Sequence, residues 1–518
     1  MMKLVSVSEM QSIEHQADAS GLSYVQMMEN AGRGLAEAVA QRYSHDSASG
    51  LIHTAGGLIG SGNNGGDALV ALAELAARNW IVSACLVRPR PGEDPLLERF
   101  VHAGGSLVPF DSMQTWLQSM SSEAVLLDGV LGTGARLPLK PDLAATLDLA
   151  RRSLLDMPTP PHIVAVDCPS GVDCDSGEAA PECIPADLTV TMAAVKQGLL
   201  RFPAYPLVGD LILAGIGVLD EIPAWQRVCR EVIDADRVRA ILPPRPLDAH
   251  KGTFGTALVV AGSVSFTGAA LLAGKAAYRS GAGWVTMAVP EPLHAALAGQ
   301  FPEAPWLLLP HERGFIAAQS ADIILRNLGK STAILVGPGF GLEPATSEFL
   351  SNLLAPTLPP LVVDADGLKL LAKLLEWPSR LPTPAVLTPH PGEMAVLTGL
   401  SLEEIQADRI GVAERFARLW GHVVVLKGAF TVIASPAGKT AVIPVATPAL
   451  ARAGTGDVLA GLITGLRAQG VGAYEAATAG AWIHAQAGLR AAEKLGSTAS
   501  VLAGDVLDAV AGVIGELP

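Results

Sequence analysis

The feature that most constrains this chain is a recurring pattern. Short apolar runs, several of them ending in glycine or aspartate, alternate with stretches of helical spacing. In the first half the runs are Val82 to Val87, Ala124 to Leu127 before Asp128, and Ile163 to Val166 before Asp167. In the second half they are Ala257 to Ala261, Val285 to Val289, Ala333 to Val336, Leu361 to Val363, Ala385 to Leu387 and Val423 to Leu426. Ser8 to Tyr43, Gly268 to Arg279, Leu402 to Trp420 and Ala473 to Ala492 read as helical. This alternation predicts mainly parallel sheets covered by helices on both faces. In such sheets ligands bind beyond the carboxyl ends of the strands, where these acidic and glycine-rich loops fall.

Charged residues and Pro243, Pro244 and Pro246 cluster after the strand-like run Gly209 to Val218, which places a boundary near residue 225. The expected organisation is two doubly wound α/β domains, residues 1–224 and 225–518. Half of the residues are hydrophobic and 17% are charged, below the ~25% of ordinary domains, so large buried cores follow. The formal charge of −14 argues against a nucleic-acid or anionic-membrane surface, so a phosphate ligand must be held by local backbone donors and a few basic side chains. Five cysteines without a CxxC pair support neither a disulfide framework nor a zinc ribbon. The opening MMKLVSVSEMQSIEHQ lacks a signal-peptide core, and the uncharged run Gly252 to Gly274 is broken by Gly and Ser. A soluble cytoplasmic protein is expected.

The second half carries AGTGDVLAGLITGL from Ala453 to Leu466. Gly454 and Gly456 let the backbone approach an anion, and the N–H groups of the helix behind them can hold a phosphate. An aspartate at that helix start, Asp457, makes sense as a base facing the transferred group; the plain alternative is an acidic cap. Other strand-end loops supply GPGFG at Gly337 to Gly341, Asp364 and Asp366, His390 and Glu393, and Lys427 with Gly428. In the first half, GSGNNGGD around Asn63 and Asn64 follows a strand without the GxGxxG spacing; its amide and carboxylate oxygens suit a cation or an amide.

GSGNNGGD, DGVLGTGARLP, AVDCPSG, ENAG and ADLTVTMAAVKQG together resemble the epimerase domain of the NAD(P)H-hydrate repair system. KGTFG, AGS, GPG, DADGL, TPHPGE, VLKG and AGTGD resemble the ADP-dependent NAD(P)H-hydrate dehydratases of the ribokinase-like superfamily. The two likenesses cover nearly the whole chain and imply a Rossmann-like epimerase domain fused to a ribokinase-like dehydratase domain. The resemblance implies that Asn63, Asn64, Gly65, Gly66 and Asp67, with Gly132, Thr133, Gly134, Ala135, Arg136, Leu137 and Pro138, contact the hydrated dinucleotide. It makes Asp167 the epimerase acid/base and gives Asn64, Asp128 and Ser170 a potassium ion to hold. Ala68 departs from the family's usual glycine.

In the second half, Ala269, Gly339, His390 and Asp457 are implied to touch the substrate, with Asp457 as base. Lys427, Gly428, Ala429, Phe430 and Thr431, with Gly454, Thr455 and Gly456, are implied to hold ADP, assisted by Mg2+. The implied substrates are hydrated NADH and NADPH (NADHX and NADPHX), with no nucleic-acid or membrane partner, and a homo-oligomer is expected. The choice of ADP over ATP comes from the resemblance alone. Two other readings compete: a ribokinase-like kinase of the hydroxymethylpyrimidine or sugar type with a non-catalytic N-terminal module, and a dinucleotide-binding scaffold. TPHPGE with GPG disfavours the kinase, and Asp67, Asp128 and Asp167 together disfavour the scaffold.

Overall fold

The computed structural model describes residues 2–44, 53–90, 92–355 and 357–517. It divides into two compact units, Met2–Cys229 and Arg230–Pro518. Among the described residues no helix is long and apolar enough to cross a membrane.

In the N-terminal unit the single helix expected over Ser8 to Tyr43 is two, Val7–Ala19 and Tyr24–Tyr43. Gly21 adopts a φ of +103° at the break. Ser23 then opens the second helix by capping the N–H of Gln26, whose side chain bonds back to the Ser23 N–H. Periodicity alone runs across such a break because both helices bury apolar faces in the same core, with Ile13, Ala17, Leu35 and Val39 all buried there.

Strand β1 (Met2–Val5) pairs in parallel with β8 (Val195–Lys196). The main sheet contains β2 (Thr54–Ile59), β3 (Ile81–Leu86), β4 (Ser106–Val108), β5 (Val125–Gly129), β6 (His162–Val166), β7 (Leu188–Met192) and β9 (Asp210–Ala214). Its order is β4-β3-β2-β5-β6-β7-β9, with every pair parallel. The direction of winding reverses between β2 and β5, the kind of place where open sheets form a ligand crevice. Residues Asn63 to Asp67, read as a loop, instead form the opening turns of the helix Asn63–Ala77. Their glycines allow close packing. A Cβ on Gly65 would lie 2.2 Å from the Gly60 carbonyl, and one on Gly66 would lie 2.8 Å from the Met28 sulfur.

The C-terminal unit is an α/β layer structure built on a mainly parallel sheet. Its strands are β10 (Arg230–Val232), β11 (Thr256–Val260), β12 (Trp284–Pro290), β13 (Trp306–Leu309), the hairpin β14 (His311–Glu312) and β15 (Phe315–Ile316), then β16 (Ala333–Val336), β17 (Leu361–Val363), β18 (Val386–Leu387), β19 (Val423–Leu426), β20 (Val432–Ala434) and β21 (Thr440–Val442). The sheet runs β13-β12-β11-β16-β17-β18-β19-β20-β21-β10. It is parallel except where β20 and β21 fold back antiparallel after β19. The helix expected over Leu402 to Trp420 breaks at Asp408, whose carboxylate caps the N–H of Gly411 at the start of Arg409–Trp420. At the centre, the helix Thr455–Ala468 lies on Thr267–Arg279 through glycines: a Cβ on Gly461 would sit 2.2 Å from the Ala273 carbonyl. The two backbones therefore come closer than any larger side chain permits.

Candidate functional sites

In the N-terminal unit the Asn64 amide donates to the carbonyls of Leu131 (2.8 Å) and Val166 (2.7 Å). That turns its oxygen toward Gly132, where a Cβ would lie 2.8 Å from it. Asp128, at the end of β5, is wholly buried and accepts hydrogen bonds from the Ser170 hydroxyl (2.5 Å) and N–H (2.8 Å). The Leu131 N–H donates to the same hydroxyl at 2.8 Å. Asn64, Asp128 and Ser170 thus meet around one loop. Burial pushes the Asp128 carboxyl pKa up, against the lowering effect of the Ser170 hydrogen bonds. Among the described residues no ion pair compensates Asp128. A buried carboxylate with amide and hydroxyl oxygens beside it fits a hard monovalent cation. Asn63, Gly134, Arg136 and Pro138 are exposed along the rim, whereas Gly65, Gly66, Asp67 and Ala135 are buried.

Asp167 follows β6 with φ +65°, a left-handed conformation uncommon for a residue with a side chain. Its Oδ1 accepts from the Met192 N–H (2.9 Å), the Thr191 hydroxyl (3.1 Å) and the ammonium of Lys196. Lys196 is 1% exposed and also donates to the Met192 carbonyl. Among the described residues these donors all converge on Oδ1, which leaves Oδ2 as the oxygen for a ligand. Burial, then the charges of Asp167 and Glu14, push the Asp67 carboxyl well above its usual range. Burial likewise raises Glu14. Sequence reading missed Lys196 and Glu14; the one signal for Lys196 was a lysine closing an apolar stretch in AAVKQG.

In the C-terminal unit a cavity of about 460 Å3 opens beside the helix Thr455–Ala468. Lys427, Gly428, Ala429, Thr431, Thr455 and Gly456 all line it. Phe430 does not: it is buried, with φ +53°. Gly454 is also outside the lining; it turns the chain at φ +91° and packs toward Leu272 and Ala503. No side chain caps the helix that follows; the Thr455 N–H turns back to the Arg452 carbonyl (3.4 Å), and among the described residues those of Gly456 and Asp457 remain available. The Lys427 ammonium donates to Asp364 Oδ1 at 2.6 Å and stands 3.7 Å from Glu393. The other oxygen of Asp364 is buried without a partner among the described residues, and a Cβ on Gly456 would lie 3.9 Å from it.

Asp457, half-buried in the first turn, has its pKa pushed up to about 7, chiefly by burial and then by Asp364, with Lys427 opposing. Ala269 and Gly339 face each other, with 2.9 Å between the Ala269 Cβ and a Cβ built on Gly339. His390 lines the nucleotide-sized cavity, but its Nδ1 is taken by the N–H groups of Gly392 (3.0 Å) and Glu393 (3.3 Å) as a helix cap. Its Nε2 stands 3.4 Å from the Glu393 carboxylate, so a ligand at that edge shares it with Glu393. Sequence reading also missed Arg409, which grips the carbonyls of Leu426 (2.9 Å) and Lys427 (3.1 Å), and His484 in the cavity wall. Neither carries a local motif; each is a polar residue in an otherwise ordinary amphipathic helix.

An acid-lined crevice where a parallel sheet reverses its winding, and in the other unit a cavity beside a glycine-led helix start, define a two-domain α/β protein with a candidate site in each unit. Comparison with known proteins narrows the class. A family profile described as NAD(P)H-hydrate dehydratase matches residues 257–511, and one described as YjeF-related protein N-terminus matches residues 25–198. The bifunctional NAD(P)H-hydrate repair enzyme of Moorella thermoacetica is 36% identical over 98% of this chain and 96% of its own. That of Escherichia coli is 33% identical over 96% and 91%. Among solved structures, the ADP/ATP-dependent NAD(P)H-hydrate dehydratase of Bacillus subtilis, co-crystallized with ATP/Mg2+, is 34% identical with a TM-score of 0.49, covering 55% of this chain and 98% of that one. The chain belongs to the family of bifunctional NAD(P)H-hydrate repair enzymes. Neither the kinase nor the scaffold reading accounts for relatives matched across both halves.

Proposed function

We propose that the C-terminal unit converts S-NAD(P)H hydrate to NAD(P)H with ADP, and that the N-terminal unit interconverts the R and S hydrates. The observation that carries the first is Asp457 beside the Lys427–Asp364 pair at an uncapped helix start. With a pKa about 7, Asp457 accepts the proton of the C6 hydroxyl near neutral pH. The oxygen takes the terminal phosphoryl of ADP and AMP leaves. The ring nitrogen then expels phosphate, and loss of a proton from the adjacent carbon restores NAD(P)H. Lys427, held by Asp364, and the Gly456 N–H at the helix start stabilise the phosphate oxygens. A magnesium ion, when bound with the nucleotide, supplies further positive charge, and the partnerless Asp364 oxygen suits it.

For the epimerase, Asp167 is the acid/base, with Lys196 and Thr191 fixing one oxygen so that the other meets substrate. Asn63 to Asp67 and Gly132 to Pro138 contact the hydrated dinucleotide, as Ala269, Gly339 and His390 do in the other unit. Potassium, when bound, neutralises the buried charge; Asn64, Asp128 and Ser170 would hold it. In this reading the protein works in the cytoplasm as a homo-oligomer, which light scattering would check. The decisive experiment supplies mixed R and S hydrates with ADP or ATP and follows NAD(P)H absorbance. Complete recovery with ADP supports both activities; a plateau at the S fraction, beyond spontaneous epimerisation, removes the epimerase.

A further inference from the structure

His484 lies on the long helix Ala473–Leu495, and with Ala481 and Ala485 it forms that helix's contribution to the cavity wall. The alanines are small, so His484 is the only polar side chain this helix presents there. It is 8% exposed, and its Nε2 has no hydrogen-bond partner among the described residues. An unpartnered buried polar atom costs stability unless a ligand satisfies it.

The rest of the lining divides by chemistry. Lys427, Gly428, Thr455 and Gly456 suit phosphate, whereas Ile443, Val445, Leu450 and Leu459 suit the flat apolar faces of a nucleoside. The charged and titratable groups lining the same cavity are Lys427, Arg452 and His390. Burial and the Lys427 charge push the His484 pKa down to about 4, while the Thr455 backbone pulls it the other way. A ring held neutral is not a phosphate clamp. It has one N–H and one lone pair; with the Thr455 backbone engaging the N–H, the lone pair remains.

We propose that His484 accepts a hydrogen bond from an N–H or O–H donor of the nucleoside half of the nucleotide, and so sets nucleoside specificity at this site. The inference rests on the reading of this cavity as the ADP site. The shared chemistry is a neutral donor, either the 6-amino group of the base or a ribose hydroxyl.

The test measures binding by calorimetry to the full-length protein. The ligands are ADP, purine riboside 5′-diphosphate (lacking the 6-amino group), 2′-deoxy-ADP and 3′-deoxy-ADP. In the unaltered protein, removing one of these donors should weaken binding about tenfold. In His484→Leu, ADP should weaken by a similar factor and that same donor's removal should carry no further penalty. His484→Gln, which keeps an acceptor oxygen, should restore part of the loss. The donor that loses its penalty identifies the base amine or the ribose.

If every donor keeps its full penalty in His484→Leu while ADP still binds the unaltered protein, the role of His484 is overturned and the ADP site stands. If ADP binding strengthens on acidification in the unaltered protein but not in His484→Gln, the ring is a cationic phosphate ligand and the inference is equally overturned. Failure of the unaltered protein to bind ADP at all overturns the cavity assignment and this inference with it. Should His484→Leu not fold, His484→Ala, which equally lacks an acceptor, takes its place in every comparison.

Discussion

Asp457 illustrates how much a carboxylate's surroundings outweigh its position. At the start of a helix the dipole favours the charged form, by ~0.3–1 kcal/mol, less than one pKa unit. Burial together with Asp364, Asp366 and Glu393 moves the pKa the other way, to about 7. The ionised base therefore forms as pH rises. The kcat/KM for S-hydrate dehydration, which reports the free enzyme, should climb through about pH 7 and level off above it. Asp457→Asn should lose dehydration by about 10²–10⁴-fold, remove that pH limb and still bind ADP in calorimetry. At Asp167, Lys196→Met removes the ammonium that fixes Oδ1. Consumption of R-hydrate should fall at least about tenfold while S-hydrate turnover stays unchanged, measured on the separated epimers. Asp167 itself was legible in AVDCPSG because the motif is local. Its partner was not, because the lysine reaches it from 29 residues away.

At the scale of elements, the strand-like runs were readable because strands buried on both faces are apolar throughout, as the fully buried β5, β16, β17 and β19 are. The strands β20 and β21 are joined by a turn and not by a helix, so they fall outside the strand-then-helix alternation and the antiparallel return after β19 was not anticipated. Helix breaks at Gly21 and Asp408 were likewise hidden by a continuing apolar period. The close crossing of Thr455–Ala468 over Thr267–Arg279 depends on glycine at 461. Gly461→Val places methyl groups into the Ala273 carbonyl, so the helices must separate. Stability should fall by about 1–3 kcal/mol, seen as an earlier thermal unfolding transition. Because this helix carries Asp457 and the phosphate-facing N–H groups, S-hydrate dehydration should weaken while epimerisation persists.

At the scale of the whole molecule, two separate chemistries sit in two units, and each should respond to its own perturbation. Exchanging potassium for a bulky organic cation should slow R-hydrate consumption several-fold, because the Asp128 charge loses its counter-ion, and leave S-hydrate dehydration with ADP intact. Asp128→Asn should make the epimerase indifferent to the cation. Both outcomes are read from NAD(P)H recovery with each pure epimer. Equal sensitivity of the two activities to potassium would place the ion elsewhere.

The alternation of apolar runs with glycine and acidic loops was enough to establish two doubly wound units, and the order of the local motifs was enough to establish the family. Those properties live in neighbouring residues, where hydrophobic period and turn chemistry act directly. What only the folded chain decided is electrostatic and long-range. Lys427 meets Asp364 across 63 residues, one oxygen of Asp167 is occupied and the other free, and Asp457 is driven toward neutrality. Desolvation and charge coupling depend on what the rest of the chain places within a few ångströms, and no local window of sequence contains that.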